Sequence, residues 1–214
     1  MNDEYEEFHI DKFKSSAITV IEGSSDYTLN ILFRLTVDSI ILLDKDTLFI
    51  DCWNIFNPYE ILGVLRSYNI RSNIEQRKIL SRIHIVRAFT EYQLDTIIKG
   101  LDRAIKEWNP GILIISYLPI LFYNSDSERL LCPIIRQIKT VTTSSDIITI
   151  ATNFGNFYID KILSSNADRV ISIEKIKNRK RKKKNKDIVR IIEDGQTIER
   201  VSVPSGQTRF NEFE

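Results

Sequence analysis

Two hydrophobic rhythms alternate along the chain. Short unbroken apolar runs are separated by stretches in which apolar residues return every three or four positions. The runs are Ala17-Ile18-Thr19-Val20-Ile21, Thr47-Leu48-Phe49-Ile50-Asp51, Ile83-His84-Ile85-Val86, Ile112-Leu113-Ile114-Ile115 and Asp146-Ile147-Ile148-Thr149-Ile150-Ala151. They predict strands covered on both faces, because a half-exposed strand would alternate apolar with polar residues. Helical spacing appears at Leu29, Leu32, Phe33, Val37, Ile40 and Ile41, and at Leu130, Leu131, Ile134, Ile135 and Ile138. A further helix is predicted from Pro58 to about Asn69, with proline suited to its first turn. The clearest pattern predicts one helix from Glu91 to Trp108 on Leu94, Ile97, Ile98, Leu101, Ile105 and Trp108, stopped by Asn109-Pro110-Gly111.

After about Ala167 the rhythm changes. Arg169–Ile173, Asp187–Ile192 and Thr197–Val201 read as antiparallel strands, with a tight-turn signal at Asp194-Gly195. The whole order predicts an α/β fold: a mostly parallel central sheet, helices on both faces and C-terminal antiparallel hairpins. At 214 residues this is one core, 15–214, preceded by an acidic leader, 1–14, with residues 167–214 forming the hairpins.

Composition adds limits. No apolar run approaches the length needed to cross a bilayer, and the acidic start is unlike a secretory signal, so a cytoplasmic location is expected. The two cysteines, Cys52 and Cys132, lack a C-x-x-C partner, and both are expected to be buried packing residues. Few glycines, abundant isoleucine and paired charges suggest a thermophile-like composition. The net charge of +1 hides an uneven distribution. Residues 178–186 carry seven cations: Arg179, Lys180, Arg181, Lys182, Lys183, Lys184 and Lys186. The rest of the chain is acidic. This run is expected at the tip of a hairpin, where mutual repulsion keeps it solvated. Nucleic-acid phosphate is its natural partner, with a plain solvated tip or a localisation signal as alternatives. No aromatic residue interrupts the run, whereas Phe154, Phe157 and Tyr158 lie in the loop before it and either pack or stack on bases.

The first strand, Gly23 and the following helix form the strand–turn–helix context of a phosphate-binding loop, G-x-x-x-x-G-K-[ST]. Counted from Gly23, the second glycine falls on Thr28, the lysine on Leu29 and the hydroxyl residue on Asn30. The turn therefore reads as a strand–helix connection, with Asp26 or Ser25 capping the helix. His9 and His84 are isolated, and Asp44, Asp46 and Asp51 sit near a turn and a strand end; core packing and loop structure are expected of them.

These pieces, in this order, resemble the RecA/RadA recombinase core, in particular its archaeal paralogues. The resemblance rests on Ile18–Val37; on Leu48–Ile61, which retains Asp51, Phe56 and Pro58 of the pattern D-T-E-G-x-F-x-P-x-R; on Ile83–Thr90, similar to a strand ending in A-R-A-F; and on Ile112–Ser116, at the place of the Walker B strand. It spans about residues 15–210 and implies a RecA-like P-loop core. It also implies what is missing. The family's water-orienting glutamate falls on Trp53 and its Walker B aspartate on Ser116, so with Leu29 and Asn30 all four groups that handle phosphate, Mg²⁺ and water are replaced. Losing one such electrostatic group costs about 10²–10³ in rate, so no ATPase activity, cofactor or metal is expected. The resemblance implies a DNA-binding accessory in homologous recombination and DNA repair, with a RadA-type recombinase or another paralogue as partner. A protein-only pseudo-ATPase adaptor or a KaiC-like regulatory subunit is the alternative.

Overall fold

The structure is a computed structural model, and it describes residues 8–23, 26–123, 128–176 and 186–204. Eight strands form one mixed sheet in the order β3-β2-β4-β5-β1-β6-β7-β8. They are β1 Ala17–Glu22, β2 Asp46–Asp51, β3 Ile83–Arg87, β4 Pro110–Ser116, β5 Ile148–Asn153, β6 Arg169–Ile176, β7 Lys186–Glu193 and β8 Gln196–Pro204. The first six are mutually parallel, and β7 and β8 add antiparallel. The helices are α1 Asp26–Leu42, α2 Pro58–Ser67, α3 Asn73–Leu80, α4 Glu91–Lys99, α5 Leu101–Trp108, α6 Glu128–Ser145 and α7 Tyr158–Ser165. Among the described residues, no helix is long and apolar enough to cross a membrane.

The unbroken apolar runs have the cause the pattern suggested. Successive side chains of a strand point to opposite faces, and in β1, β2, β4 and β5 both faces are covered; the edge strand β3 departs from the expectation, with Ile85 exposed. Ile21, Phe49, Ile112, Ile114 and Ile150 point to a core closed by α1 and α2. Ile18, Val20, Leu48, Ile50, Leu113 and Ile115 point to a second core closed by α4–α7. Strand β4 is buried along its whole length.

The fold departs from the sequence reading in several places. The 91–108 helix is two helices meeting at Gly100, whose N–H is shared between the carbonyls of Thr96 and Ile97. Helix α3 was absent from the reading because it buries none of its residues and so carries no apolar stripe. Strand β6 is not purely part of an antiparallel set: it pairs parallel with β1 on one side and antiparallel with β7 on the other. Cys132 is exposed on α6 rather than packed inside, whereas Cys52 is buried as expected. Burial pushes the Cys52 thiol far up, which leaves it unreactive. Residues 8–13, within the acidic leader, pack Phe8, Ile10 and Phe13 into the α1 side of the core around a short 3₁₀ turn, Ile10–Lys12.

Candidate functional site: the carboxyl edge of the sheet

In open α/β sheets ligands bind outside the carboxyl ends of the strands, where loops lead into helix N-termini. Gly23 stands at that edge, directly after β1, with φ 147. Its N–H donates to the carbonyl of Asn153 at 2.9 Å. A Cβ here would lie 2.8 Å from the carbonyl oxygen of Ile173, so the turn admits glycine alone without movement. Thr28 is fully buried, and Leu29 packs partly buried against the α1-side core. Asn30 is half-buried in the first turns of α1. Ser25 lies outside the described residues, and Asp26 is the first residue of α1, where its charge suits the helix N-terminus.

Asp51, at the end of β2, organises the next loop. Its fully buried carboxylate accepts from the backbone N–H groups of Trp53 (3.3 Å), Ile55 (3.1 Å) and Phe56 (2.9 Å), and from the hydroxyl of Ser116 at 3.0 Å. Ser116 Oγ in turn accepts from Cys52 N–H at 3.2 Å. Arg87 approaches the same carboxylate at 3.6 Å from the end of β3. Three neighbouring strand ends are thus tied by one side chain, and Trp53 is held at the tip of the loop beside Asn54, whose φ is 54. The expectation of loop structure for Asp51 agrees with these bonds.

The space above β5 is filled from within. Tyr117 follows β4 in the left-handed conformation (φ 46, ψ 42), which turns its ring across the sheet edge. Its N–H donates to Thr152 Oγ1 at 2.8 Å, and its hydroxyl reaches the Gly23 carbonyl at 3.1 Å. The ring is fully buried between Phe154 (centroids 4.6 Å, stacked) and Trp53 (4.8 Å, edge-on). Trp53 and Phe154 also meet at 4.7 Å, and Phe157 extends the cluster to Tyr123 at 4.6 Å. Burial, then the charge of Asp26, pushes the Tyr117 hydroxyl far up, so it stays a neutral donor. Of the three loop aromatics singled out from sequence, Phe154 packs, while Phe157 and Tyr158 keep much of their rings in solvent. Tyr117 itself was missed. The available signal was an aromatic residue immediately after the strand at the Walker B place.

Beneath the β5–α7 loop lies a polar layer. Glu22 accepts from Ser164 (2.6 Å) and Ser172 (2.7 Å), and Asp160 accepts from the N–H groups of Asn156 and Phe157, both at 3.1 Å. Burial raises the Asp160 carboxyl against those hydrogen bonds. Among the described residues no group of three or more His, Cys, Asp or Glu side chains could hold a metal ion.

His84, Asp44 and Asp46 lie at the opposite end of the sheet, and His9 lies just before the 3₁₀ turn Ile10–Lys12, beside α1. His84 stacks on Trp108 (4.2 Å, 3°) and bonds Asp46 at 2.7 Å, and Arg82 bridges Asp44 and Asp46, each at 2.8 Å. His9 lies 3.9 Å from the buried Asp38. The basic run falls on the connection between the paired strands β6 and β7. Arg179, Lys180, Arg181, Lys182, Lys183 and Lys184 lie outside the described residues, and Lys186 opens β7.

The geometry defines a class: an α/β protein with a mostly parallel eight-stranded sheet whose carboxyl edge is closed by its own aromatic side chains. The sequence matches no protein-family model and no curated protein, so the functional reading is built on these residues.

Proposed function

We propose that this chain is a RecA/RadA-like paralogue that neither binds nor hydrolyses ATP, and that it serves as a DNA-binding accessory to a RadA-type recombinase or another paralogue in recombination and repair. The observation that carries the inactive half of this reading is Tyr117, whose ring lies over β5 and whose hydroxyl occupies the Gly23 carbonyl. A nucleotide seated on the Gly23 turn would meet the Tyr117–Trp53–Phe154 cluster before it met any cation. Leu29 and Asn30 offer nothing to triphosphate charge, and Ser116 is engaged by Asp51 and Cys52 rather than free for a metal. The DNA-binding half rests on the seven cations of residues 178–186. Full neutralisation of single-strand phosphates by seven cations gives a logarithmic salt slope of roughly −5 at most.

The test has two arms. Phosphate release and fluorescent-nucleotide binding are expected to be nil in the presence of Mg²⁺; turnover or tight Mg·ATP binding would refute the inactive reading. Anisotropy of a labelled single-stranded oligonucleotide at low salt is expected to show binding that disappears when Arg179–Lys184 and Lys186 are changed to Ser. Binding that is absent, or indifferent to that change, removes the DNA limb. The protein-only adaptor reading would then stand, favoured by the few exposed cations in the described loops and first helical turns after β1–β5, Arg87, Arg129 and Lys161.

A further inference from the structure

Among the described residues, every well-exposed aromatic ring lies at one edge of the molecule. Trp53 and Tyr59 follow β2, Phe89 and Tyr92 follow β3, Tyr123 follows β4, and Phe157 and Tyr158 follow β5. The other large apolar side chains that reach solvent are all aliphatic: Leu42, Leu43, Ile74, Ile85 and Ile198. Strands β3, β2, β4 and β5 are consecutive neighbours, so the seven rings line one continuous edge. The middle of that edge is rigid. Trp53, Phe154, Phe157 and Tyr123 are in ring contact around the buried Tyr117, and Asp51 pins the Trp53 loop. Arg87 ties the β3 end to the β2 loop by donating to the Phe56 carbonyl at 3.4 Å. The platform is therefore built before any partner arrives, and binding it costs little ordering.

Its area is large for a surface left bare. An aromatic side chain buries about 150–250 Å², and these residues are exposed by 40% to 80%, which leaves roughly 800 Å² of their surface in solvent. The largest apolar patch of an ordinary monomer is about 300–600 Å². A stable protein interface buries about 800 Å² on each side. Its charge is nearly balanced. The described loops and first turns of this edge hold Asp26, Arg87, Arg129 and Lys161 exposed, with Glu60 and Glu91 half-buried. A two-fold axis sets a patch against itself, so it tolerates only a patch whose own charges do not repel. This one meets that condition. A nucleic acid lying here would find three described cations offset by as many described carboxylates, which is a poor match for a row of phosphates.

We propose that the aromatic carboxyl edge is a self-association surface, and that a second copy of this chain covers it as a two-fold dimer. The proposal does not rest on the DNA reading: loss of oligonucleotide binding on removing the 178–186 cations leaves it intact.

Sedimentation equilibrium of the full chain over about a hundredfold range of concentration tests it. A reversible monomer–dimer equilibrium is expected, insensitive to added salt because burial of rings drives it. Changing Tyr59→Ser together with Tyr92→Ser is expected to raise the dimer dissociation constant about tenfold or more. Ile74→Ser, on the exposed face of α3, is expected to leave it unchanged. All the altered side chains are solvent-facing, and far-ultraviolet dichroism confirms that each variant folds. A chain that is monomeric throughout the range overturns the proposal. So does a dimer that Tyr59→Ser/Tyr92→Ser leaves intact, or one that salt dissociates. If the chain stays monomeric while a single-stranded oligonucleotide quenches Trp53, quenching that Tyr59→Ser/Tyr92→Ser weakens, the edge is a base-stacking surface and the dimer is refuted.

Discussion

Substitution of Tyr117 separates the parts of the internal plug. Removing the whole ring with Tyr117→Ala deletes a fully buried aromatic side chain, which costs about 3–5 kcal/mol when the cavity does not collapse. Collapse is resisted here, because Trp53 and Phe154 are each held by other contacts. Tyr117→Phe keeps both ring contacts and removes only the hydroxyl bond to Gly23, at about 1–1.5 kcal/mol. For a chain of this size 1 kcal/mol shifts the melting temperature by roughly 2–4 °C. The alanine variant is therefore expected to melt about 10 °C lower and the phenylalanine variant about 3 °C lower. The left-handed backbone adds a third arm. Tyr117→Gly relieves a strained φ of 46 worth about 1 kcal/mol, so glycine is expected to be no worse than alanine, against its usual penalty. Urea melts followed by tryptophan fluorescence and by dichroism supply the free energies. The reasoning fails if the phenylalanine variant costs as much as the alanine variant, or if the alanine variant costs less than about 1 kcal/mol, since either result means the ring is not seated as described.

Gly23→Ala forces a Cβ to within 2.8 Å of the Ile173 carbonyl at φ 147 and is expected to cost about 2–3 kcal/mol, whereas Gly63→Ala, in α2 with nothing within 4 Å, gains about 0.5–1 kcal/mol; paired thermal melts check both signs. Asp51→Ala strands three backbone N–H groups and the Ser116 hydroxyl, at about 3 kcal/mol or more, and the freed loop is expected to shift Trp53 emission to the red at denaturant concentrations where the sheet is intact. Glu193 is held below the usual carboxylate range by its two hydrogen bonds from Arg169, with partial burial opposing. A depressed folded value contributes stability that is fully present above the unfolded value of 4.5 and is lost as pH falls through the folded one. Glu193→Gln is therefore expected to destabilise modestly at neutral pH, by about 1 kcal/mol or less for a pair still partly open to solvent, and to make no difference in acid; a stability difference that persists in acid would show that the pairing is not its source.

How far the sequence discloses this molecule depends on how far apart in the chain the cooperating residues lie. The parallel strands were legible because burial on both faces writes an unbroken apolar run into a single short segment, as in β4. The Gly23 turn was legible for the same reason: strand, glycine and helix are contiguous. Helix α3 was not, since none of its residues is fully buried and only Ile79 and Leu80, at its end, pack partly buried against the core. The burial of Phe8, Ile10 and Phe13 was hidden because an aperiodic segment gives no rhythm to read. The exposure of Cys132 was hidden because its apolar neighbours Leu131 and Ile134 lie on the other side of the same helix. The plug was the least legible of all. Trp53, Tyr117 and Phe154 are dispersed over a hundred residues, and only the order β2-β4-β5 makes their strand ends adjacent. What a single sequence could offer was positional: Tyr117 and Phe154 each stand one residue past a strand and Trp53 stands two past, where an α/β sheet presents its loops to ligands. An aromatic residue at one such position is unremarkable. The same chemistry at the ends of adjacent parallel strands argues for a shared task, and here that task is to fill the crevice while carrying further rings out to its rim.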